Sequence, residues 1–258
     1  MLFKTIHFNQ FSSIKIGPTV EVLMIEDEVL IPDDRIIIGR ANNLLVSPTP
    51  PPLMMLSKTF SFLRMDGKYL YVGGATPTGK ILSFVKKHNI AGFEFLSKLP
   101  GSLGGMVAMN AGVKSYEIFN RLEALKINGV WVDKAQIDYG YRFARLGGVV
   151  TEVRFALEWG FDVVLLEQLR TLRKNQPKLP SAGSAFKNPQ GDYAGRLIDA
   201  VGLKGYRQGA MEWSRVHANF LVNHGGGRFE DAKALIDLAK ERVYQRFGIE
   251  LVEEIKLL

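Results

Sequence analysis

The proline-rich run Ser47–Pro52 constrains the fold of the N-terminal third more than any other feature. Four of its six residues are proline, which lacks a backbone N–H and has a restricted φ. Such a run cannot form a helix or a central strand, so we predict an extended linker. Short apolar runs that are typical of strands lie on both sides of it.

Hydrophobic periodicity predicts mainly strands before residue 160 and mainly helices after it. The predicted strands are Val20–Ile25, Arg35–Ile38, Asn43–Val46, Lys68–Val72, Leu122–Ile127, Val149–Trp159, Ala218–Asn223 and a closing strand in Ile249–Leu258. The predicted helices are Gly79–Asn89, Val163–Asn175, a helix capped by Asp192 and ended by Gly202, and Phe229–Phe247. The last of these has the strongest pattern, because its apolar residues form one stripe and Gly248 follows it.

The composition is that of a globular protein with room for two or three lobes. The 258 residues are 47% hydrophobic and 23% charged, and no apolar run is long enough to span a bilayer. Cysteine is absent, which excludes disulfides and cysteine-ligated metals and fits a reducing compartment. The first residues lack the apolar core of a signal peptide, so we expect a cytoplasmic protein with no membrane partner.

The formal net charge of +7 has two interpretations. It favours an anionic partner, or it reflects a basic surface that is simply exposed to solvent. Nucleic-acid-binding proteins usually cluster their basic residues, whereas here the lysines and arginines are dispersed. We therefore expect no nucleic acid partner. Phosphate-bearing cofactors and sugar nucleotides fit the charge as well.

Gly74–Lys80 matches the first seven positions of a phosphate-binding loop. The next residue should carry a hydroxyl that holds magnesium, but it is Ile81, and Pro77 removes a backbone donor. We therefore interpret the segment as a join between a strand and a helix rather than as a triphosphate site.

Pro180–Pro189 is the segment most indicative of function. Its small residues before Ser184 allow the backbone to approach a ligand closely, and Ser184 presents one hydroxyl. Lys187 and Asn188 then add a cation and an amide. This combination suits an anionic ligand held beside a single proton donor.

Two glycine-rich turns add a second kind of site. Pro100–Gly105 and Asn110–Gly112 expose backbone N–H groups that can cradle phosphate oxygens, and Gly39–Asn43 ends a strand in a similar turn. Their spacing is not that of a dinucleotide fold, so they indicate a different cofactor platform.

Several segments occur together in the order typical of one family. They are Leu99–Gly112, Tyr139–Arg142, Gln176–Pro189, Ala194–Ile198, Gly202–Gly205, His217–Phe220 and Glu254–Lys256. On these motifs most of the chain resembles the UDP-N-acetylenolpyruvoylglucosamine reductases, flavoenzymes that make a bacterial cell-wall precursor. The interval between Arg142 and Ser184 resembles that of the family's second, shorter type. The resemblance implies non-covalent FAD, NADPH as co-substrate, and a monomer.

The resemblance also implies an α+β fold, with a two-lobed FAD-binding domain of the PCMH/VAO type and a smaller α+β substrate-binding domain. Its implied boundaries are residues 1–52 and 53–160 for the two FAD lobes and 161–248 for the substrate domain, with strand 249–258 returning to the active site. Cofactor contacts are expected from Gly39, Arg40, Ala41, Asn42, Asn43, Pro100, Gly101, Ser102, Gly104, Gly105, Asn110 and Gly112. The turn at Gly39–Asn43 departs from the family's Gly-Gly-Gly-Ser-Asn, so Arg40 stands where the family has glycine.

Three family catalytic positions have matches in this chain. Arg142 matches the arginine that steadies the enol carboxylate, Ser184 the proton donor, and Glu254 the glutamate that stabilises the intermediate. Substrate contacts are implied for Lys174, Lys187, Asn188 and His217.

Two other functions remain open from the residues alone. A non-catalytic protein that binds a nucleotide sugar or a nucleic acid would use the basic surface, but it would not need a serine in a glycine-framed motif. An FAD-dependent oxidase would share the flavin platform, but such enzymes usually attach the flavin through His or Cys. The chain has no cysteine, and its four histidines lie outside the glycine-rich loops.

Overall fold

A computed structural model describes residues 2–29, 31–172 and 175–258. The helices are Phe8–Phe11, Thr78–Lys87, Leu103–Ala108, Val163–Thr171, Ala194–Ala200 and Phe229–Phe247, with 3-10 turns at Lys58–Phe60, Glu94–Lys98, Ile118–Asn120 and Lys134–Gln136. Strands and helices are both extensive, so the predicted α+β class is confirmed. Within the described ranges, no helix is both long and apolar enough to cross a membrane.

The chain divides into two compact units. Unit 1 comprises Met1–Lys4, Val22–Arg40 and Pro52–Lys174, and unit 2 comprises Thr5–Glu21, Ala41–Pro51 and Asn175–Leu258. One break between the units falls at residues 51 and 52, beside a predicted boundary, but none falls at 160 or 248. The division into two cofactor lobes and a substrate domain stays a prediction.

Unit 1 contains a five-stranded antiparallel sheet. Its order across the sheet is Val130–Asp133, Leu122–Ile127, Val150–Ala156, Tyr69–Gly73 and Leu63–Asp66. Alternate residues of the central strands, such as Leu125 and Val153, are fully buried against the helix Thr78–Lys87, whose Ile81 and Val85 face the same core. This period-2 burial is what the alternating sequence predicts for a sheet with one covered face. Two hairpins complete the strands of this region, Gly112–Val113 with Tyr116–Glu117 and Asp138–Gly140 with Phe143–Arg145.

A second, four-stranded sheet has the order Leu2–His7, Thr19–Ile25, Leu53–Leu56 and Ile36–Ile37. Leu53–Leu56 pairs in parallel with its neighbours on both sides. This strand begins directly after the proline run, and the Pro52 carbonyl accepts a hydrogen bond from the Ile36 N–H at 2.9 Å. The proline run therefore ends where the strand Leu53–Leu56 begins. That strand pairs on both sides and so needs the backbone N–H groups that proline lacks, which agrees with the predicted linker.

Unit 2 is built on an antiparallel sheet whose order is Ser181–Ser184, Phe220–Asn223, Met211–Trp213 and Arg207–Gln208. The helix Phe229–Phe247 has the predicted bounds, buries the predicted stripe, and ends at Gly248 in the left-handed conformation with φ 67°. Trp213 is fully buried in the same core and stacks on Phe186, with ring centroids 5.8 Å apart.

Three sequence expectations need correction. Asp192 does not cap its helix: the N-cap residue is Tyr193, and the Asp192 carboxylate accepts hydrogen bonds from the Tyr193 N–H and from Arg196. The helix that begins at Val163 ends at Thr171 rather than Asn175. The C-terminal strand is only Lys256–Leu257, which pairs in parallel with Leu44–Leu45.

Candidate active site

The glycine-rich segment Pro100–Gly105 is hydrogen-bonded to Gly74–Lys80, the segment whose sequence resembles a phosphate-binding loop. Gly74–Lys80 joins a strand to a helix. Tyr69–Gly73 leads into the helix Thr78–Lys87, as predicted. The Thr78 N–H donates to the Gly101 carbonyl at 3.1 Å, and the Gly104 N–H donates to the Gly74 carbonyl at 2.8 Å. The loop is therefore an internal scaffold for the second glycine-rich segment.

Two predicted cofactor turns meet within unit 1. A Cβ added to Gly39 would lie 2.6 Å from Ser102 Oγ and 3.9 Å from the Gly105 Cα. Gly101 has φ +148°, and a Cβ on Gly104 would lie 3.3 Å from the Gly74 carbonyl oxygen. Among the described residues, the backbone hydrogen bonds between the loop and this segment do not use the Gly105 N–H. This surface has little side-chain cover, so a flat or anionic group can approach the backbone.

The rest of the Gly39–Asn43 turn lies in unit 2 from Ala41 onward. Arg40 is exposed, whereas Ala41 is buried with φ 51°. Asn42 Nδ2 donates to Ser13 Oγ at 2.6 Å, and among the described residues no donor reaches its buried Oδ1. Asn43 Nδ2 donates to the Glu254 carbonyl at 2.7 Å, so this predicted cofactor residue also anchors a predicted catalytic segment.

Unit 2 pairs the backbone that follows Ser184 with the backbone at Glu254. Ser184 ends a strand and pairs with Phe220, and Gly183 before it has φ +81°. The carbonyl of the next residue, Ala185, accepts hydrogen bonds from the N–H groups of Glu254 and Ile255 at 2.8 and 3.3 Å. The backbone of Glu254 is therefore hydrogen-bonded to the residue that follows Ser184. Both Ser184 and Glu254 are half-buried.

The buried amide of Asn219 locks the chain just after Ser184. Its Oδ1 accepts from the Phe186 N–H at 3.0 Å, and its Nδ2 donates to the Phe186 carbonyl at 2.8 Å. Its own carbonyl accepts from the Ala185 N–H at 2.8 Å. Asn219 was not among the predicted site residues. An asparagine inside a predicted apolar strand could have indicated its role, because a buried polar side chain needs hydrogen-bond partners.

The predicted substrate-binding residues of unit 2 have different surroundings. Asn188 Oδ1 accepts from the Ala194 N–H at 3.1 Å, so it satisfies the first turn of the helix Ala194–Ala200. The Lys187 backbone N–H donates to the Val252 carbonyl at 2.8 Å, beside the chain that leads to Glu254. Lys174 lies outside the described residues.

His217 is half-buried, and this burial lowers the pKa of its imidazole below the ordinary value of 6.5. Its Nδ1 accepts a hydrogen bond from the Asn219 N–H at 3.3 Å, which places the proton of the neutral ring on Nε2. A Cβ on Gly195 would lie 3.1 Å from the ring, so the glycine makes room for it. At neutral pH His217 is therefore an oriented hydrogen-bond donor rather than a cation.

Arg142 lies in unit 1, in the turn between the strands Asp138–Gly140 and Phe143–Arg145. Its φ is 62°, a left-handed conformation that residues other than glycine rarely adopt. Its Nη2 donates to the Gly112 carbonyl at 3.3 Å, and its Nη1 lies 3.6 Å from Glu117 Oε1. The guanidinium also lies over the Tyr141 ring, 4.9 Å from the centroid.

The Asn110 amide ties this hairpin to the glycine-rich segment. It is fully buried, with Oδ1 accepting from the Phe119 N–H at 3.3 Å. Its Nδ2 donates to Glu117 Oε2 at 2.8 Å and to the Gly140 carbonyl at 3.0 Å. The predicted cofactor residues Asn110 and Gly112 therefore both contact the surroundings of Arg142, and Glu117 joins them without having been predicted.

The C-terminal part of the chain matches a family model, and whole-chain relatives extend the match. Residues 175–258 match the UDP-N-acetylenolpyruvoylglucosamine reductase C-terminal domain. A UDP-N-acetylenolpyruvoylglucosamine reductase from Helicobacter hepaticus is 50% identical over 261 residues, covering 98% of each chain. One from Helicobacter pylori strain J99 is 45% identical over the full length of both. The crystal structure of UDP-N-acetylenolpyruvylglucosamine reductase (MurB) from Thermus caldophilus matches with a TM-score of 0.87 at 30% identity, covering 100% of this chain and 99% of that one.

The fold, together with these whole-length matches, defines an oxidoreductase. The chain belongs to the UDP-N-acetylenolpyruvoylglucosamine reductase family. The family resemblance read from the sequence motifs is confirmed.

Proposed function

We propose that the chain reduces the enolpyruvyl group of UDP-N-acetylenolpyruvoylglucosamine to give UDP-N-acetylmuramate, a step in peptidoglycan precursor synthesis. One structural observation supports this proposal in addition to family membership. Ser184 and Glu254 are seventy residues apart in the sequence, but hydrogen bonds to the Ala185 carbonyl hold them in register. A proton donor and a carboxyl group carried by neighbouring backbone segments suit the reduction of a polarised double bond.

The cofactor is proposed to be FAD, held non-covalently and reduced by NADPH. The close approach of Gly39 to Ser102 and the missing side chains at Gly101, Gly104 and Gly105 fit a large group that carries phosphates. When bound, the flavin supplies the hydride that the terminal enolpyruvyl carbon receives. In this proposal the cofactor-binding part is two-lobed and of the PCMH/VAO type.

Ser184 is proposed to give the proton that completes the reduction. Hydride addition to the terminal carbon leaves electron density on the adjacent carbon, which is basic enough to take a proton from a serine hydroxyl. The double bond thereby becomes a saturated ether, and the serine regains its proton from solvent. The strand end, the positive φ of Gly183 and the Asn219 clamp on Phe186 limit the positions that Ser184 can take.

Arg142 is proposed to bind the carboxylate of the enolpyruvyl group. Negative charge spreads onto that carboxylate as the hydride arrives, and a planar guanidinium matches its geometry. The bonds to the Gly112 carbonyl and the stacking on Tyr141 hold the guanidinium before substrate arrives, so little reorientation is needed.

Glu254 is proposed to stabilise the same intermediate. Its backbone is held twice, because its N–H donates to Ala185 and its carbonyl accepts from Asn43. These bonds determine where the Glu254 side chain leaves the chain relative to Ser184.

The nucleotide and its diphosphate are proposed to contact Lys187, Asn188, His217 and Lys174. The half-buried His217 would use its Nε2–H as a neutral donor to an oxygen of the substrate. The net charge of +7 favours approach of the anionic sugar nucleotide.

The visible absorption spectrum tests the proposal directly. The purified protein, with FAD added where needed, should show a flavin band that NADPH bleaches without oxygen. Adding UDP-N-acetylenolpyruvoylglucosamine should restore the band, whereas UDP-N-acetylglucosamine, which lacks the enolpyruvyl group, should not. A protein that takes up no FAD, or whose bleached band does not recover with the enolpyruvyl substrate, would refute it.

A further inference from the structure

The Glu117 carboxylate lies between a buried amide and the guanidinium of Arg142. Its Oε2 accepts from Asn110 Nδ2 at 2.8 Å, and its Oε1 lies 3.6 Å from Arg142 Nη1. Both charged side chains are largely shielded, at 17% exposed for the arginine and 21% for the glutamate. This pair is therefore screened less by solvent than a surface ion pair.

The same amide also holds the hairpin that carries the arginine. Asn110 Nδ2 donates to the Gly140 carbonyl at 3.0 Å, two residues before Arg142. The Asn110 amide is itself anchored, because its Oδ1 accepts from the Phe119 N–H. The buried Asn110 amide therefore holds both the Glu117 carboxylate and the backbone of the hairpin, and both its nitrogen and its oxygen are hydrogen-bonded.

The left-handed backbone of Arg142 makes this support necessary. A residue other than glycine keeps φ 62° only where its surroundings hold it, and such conformations concentrate at functional sites. Glu117, the Gly112 carbonyl and the Tyr141 ring all contact the guanidinium. Of these three groups, only Glu117 carries a formal negative charge.

We propose that Glu117, oriented by Asn110, is a positioning residue for Arg142 in the reduction. Its carboxylate sets the direction of the guanidinium and offsets part of its charge until the substrate carboxylate arrives. The separation of 3.6 Å is longer than a hydrogen bond, so Glu117 directs the arginine electrostatically, without a short, tight pairing that would compete with substrate. This inference rests on the proposed role of Arg142.

The test compares Glu117→Gln with the wild-type holoenzyme in two anaerobic half-reactions. Glutamine keeps the size of the side chain and an oxygen that can accept from Asn110, but it removes the charge. Flavin reduction by NADPH should stay within about twofold of wild type, because the glutamine oxygen still accepts from Asn110 and leaves the neighbouring predicted cofactor residues in place. Reoxidation by the enolpyruvyl substrate should slow about ten- to a hundredfold, the scale of a small misplacement of a group that orients the substrate. The substrate Kd should not rise, because the substitution removes a negative charge beside the arginine and so does not weaken its attraction for an anionic substrate.

A matched control and a double variant separate positioning from general structure. Glu123→Gln removes a glutamate that lies 3.8 Å from Arg154, outside the site, and should leave both half-reactions unchanged. In an Arg142→Ala background, Glu117→Gln should produce no further slowing, because its effect passes through the arginine. Equal slowing with and without Arg142 would overturn the inference.

The outcomes also separate this inference from the proposal on which it rests. Normal reoxidation in Arg142→Ala would overturn the role of the arginine and this inference with it. A slow Arg142→Ala with a normal Glu117→Gln would overturn the inference alone. If Glu117→Gln does not retain FAD, Glu117→Asp carries the test: the charge remains but moves back by one methylene, so reoxidation should slow while NADPH reduction stays normal. Normal reoxidation in that variant would contradict the positioning role.

Discussion

Replacement of Asn219 by alanine should destabilise unit 2 and disturb the register between Ser184 and Glu254. The Asn219 side chain satisfies both the N–H and the carbonyl of Phe186, at 3.0 and 2.8 Å. Phe186 is fully buried and Asn219 is 3% exposed, so water does not readily replace the lost amide. Each unpaired buried group costs about 1–3 kcal/mol, and the total loss should be about 2–5 kcal/mol in the free energy of unfolding.

Trp213 provides a local probe for this measurement. It is fully buried and stacks on Phe186, whereas Trp131 and Trp159 are 40% and 63% exposed and lie in unit 1. In a background with Trp131→Phe and Trp159→Phe, urea unfolding followed by tryptophan fluorescence therefore reports on unit 2. The midpoint for Asn219→Ala should fall in proportion to the lost free energy.

Asn9→Ala is the matched control, because Asn9 is exposed in the same unit and should change stability by less than about 0.5 kcal/mol. Flavin reoxidation by the enolpyruvyl substrate should also slow in Asn219→Ala, measured where the variant is still folded. A loss below about 0.5 kcal/mol together with normal reoxidation would refute the reasoning that this amide holds the catalytic register.

Three further predictions concern individual side chains. Ser184→Ala should leave flavin reduction by NADPH nearly intact and slow reoxidation by substrate about 10²- to 10⁴-fold in stopped-flow absorbance, and normal turnover would remove Ser184 as the proton donor. Arg142→Ala should damage turnover with little change in FAD content by absorbance, whereas loss of flavin would make the arginine structural. Burial lowers the pKa of His217, so the unfolded chain binds more protons than the folded protein as the pH falls through 6.5, and stability falls with it. The melting temperature should therefore drop more between pH 7.5 and 5.0 in the wild type than in His217→Gln, and equal drops would contradict the burial argument.

Local patterns predicted those elements whose stability is mostly local. The helix Phe229–Phe247 has the predicted bounds, because one apolar stripe with a glycine stop leaves little choice. The strand Leu122–Ile127 also has the predicted bounds, although Ala124 and Leu125 are both buried where its pairing shifts register. Asp192 was assigned as a cap from residue type alone. In the structure the Arg196 guanidinium, one helical turn away, and the Tyr193 N–H engage that carboxylate and lower its pKa to about 2.

The sequence by itself determined the family, the glycine-rich turns and the residue types that the chemistry needs, because those depend on short motifs. Only the tertiary structure decided which of them meet. The pairing of Lys256 with Leu44 and the bond from Asn43 to Glu254 join residues more than two hundred positions apart, which no local periodicity encodes. Asn219 and Glu117 gained their importance in the same way. A shielded amide or carboxylate must find partners, and the backbone group that Asn219 finds and the cation that Glu117 finds both come from other segments of the chain.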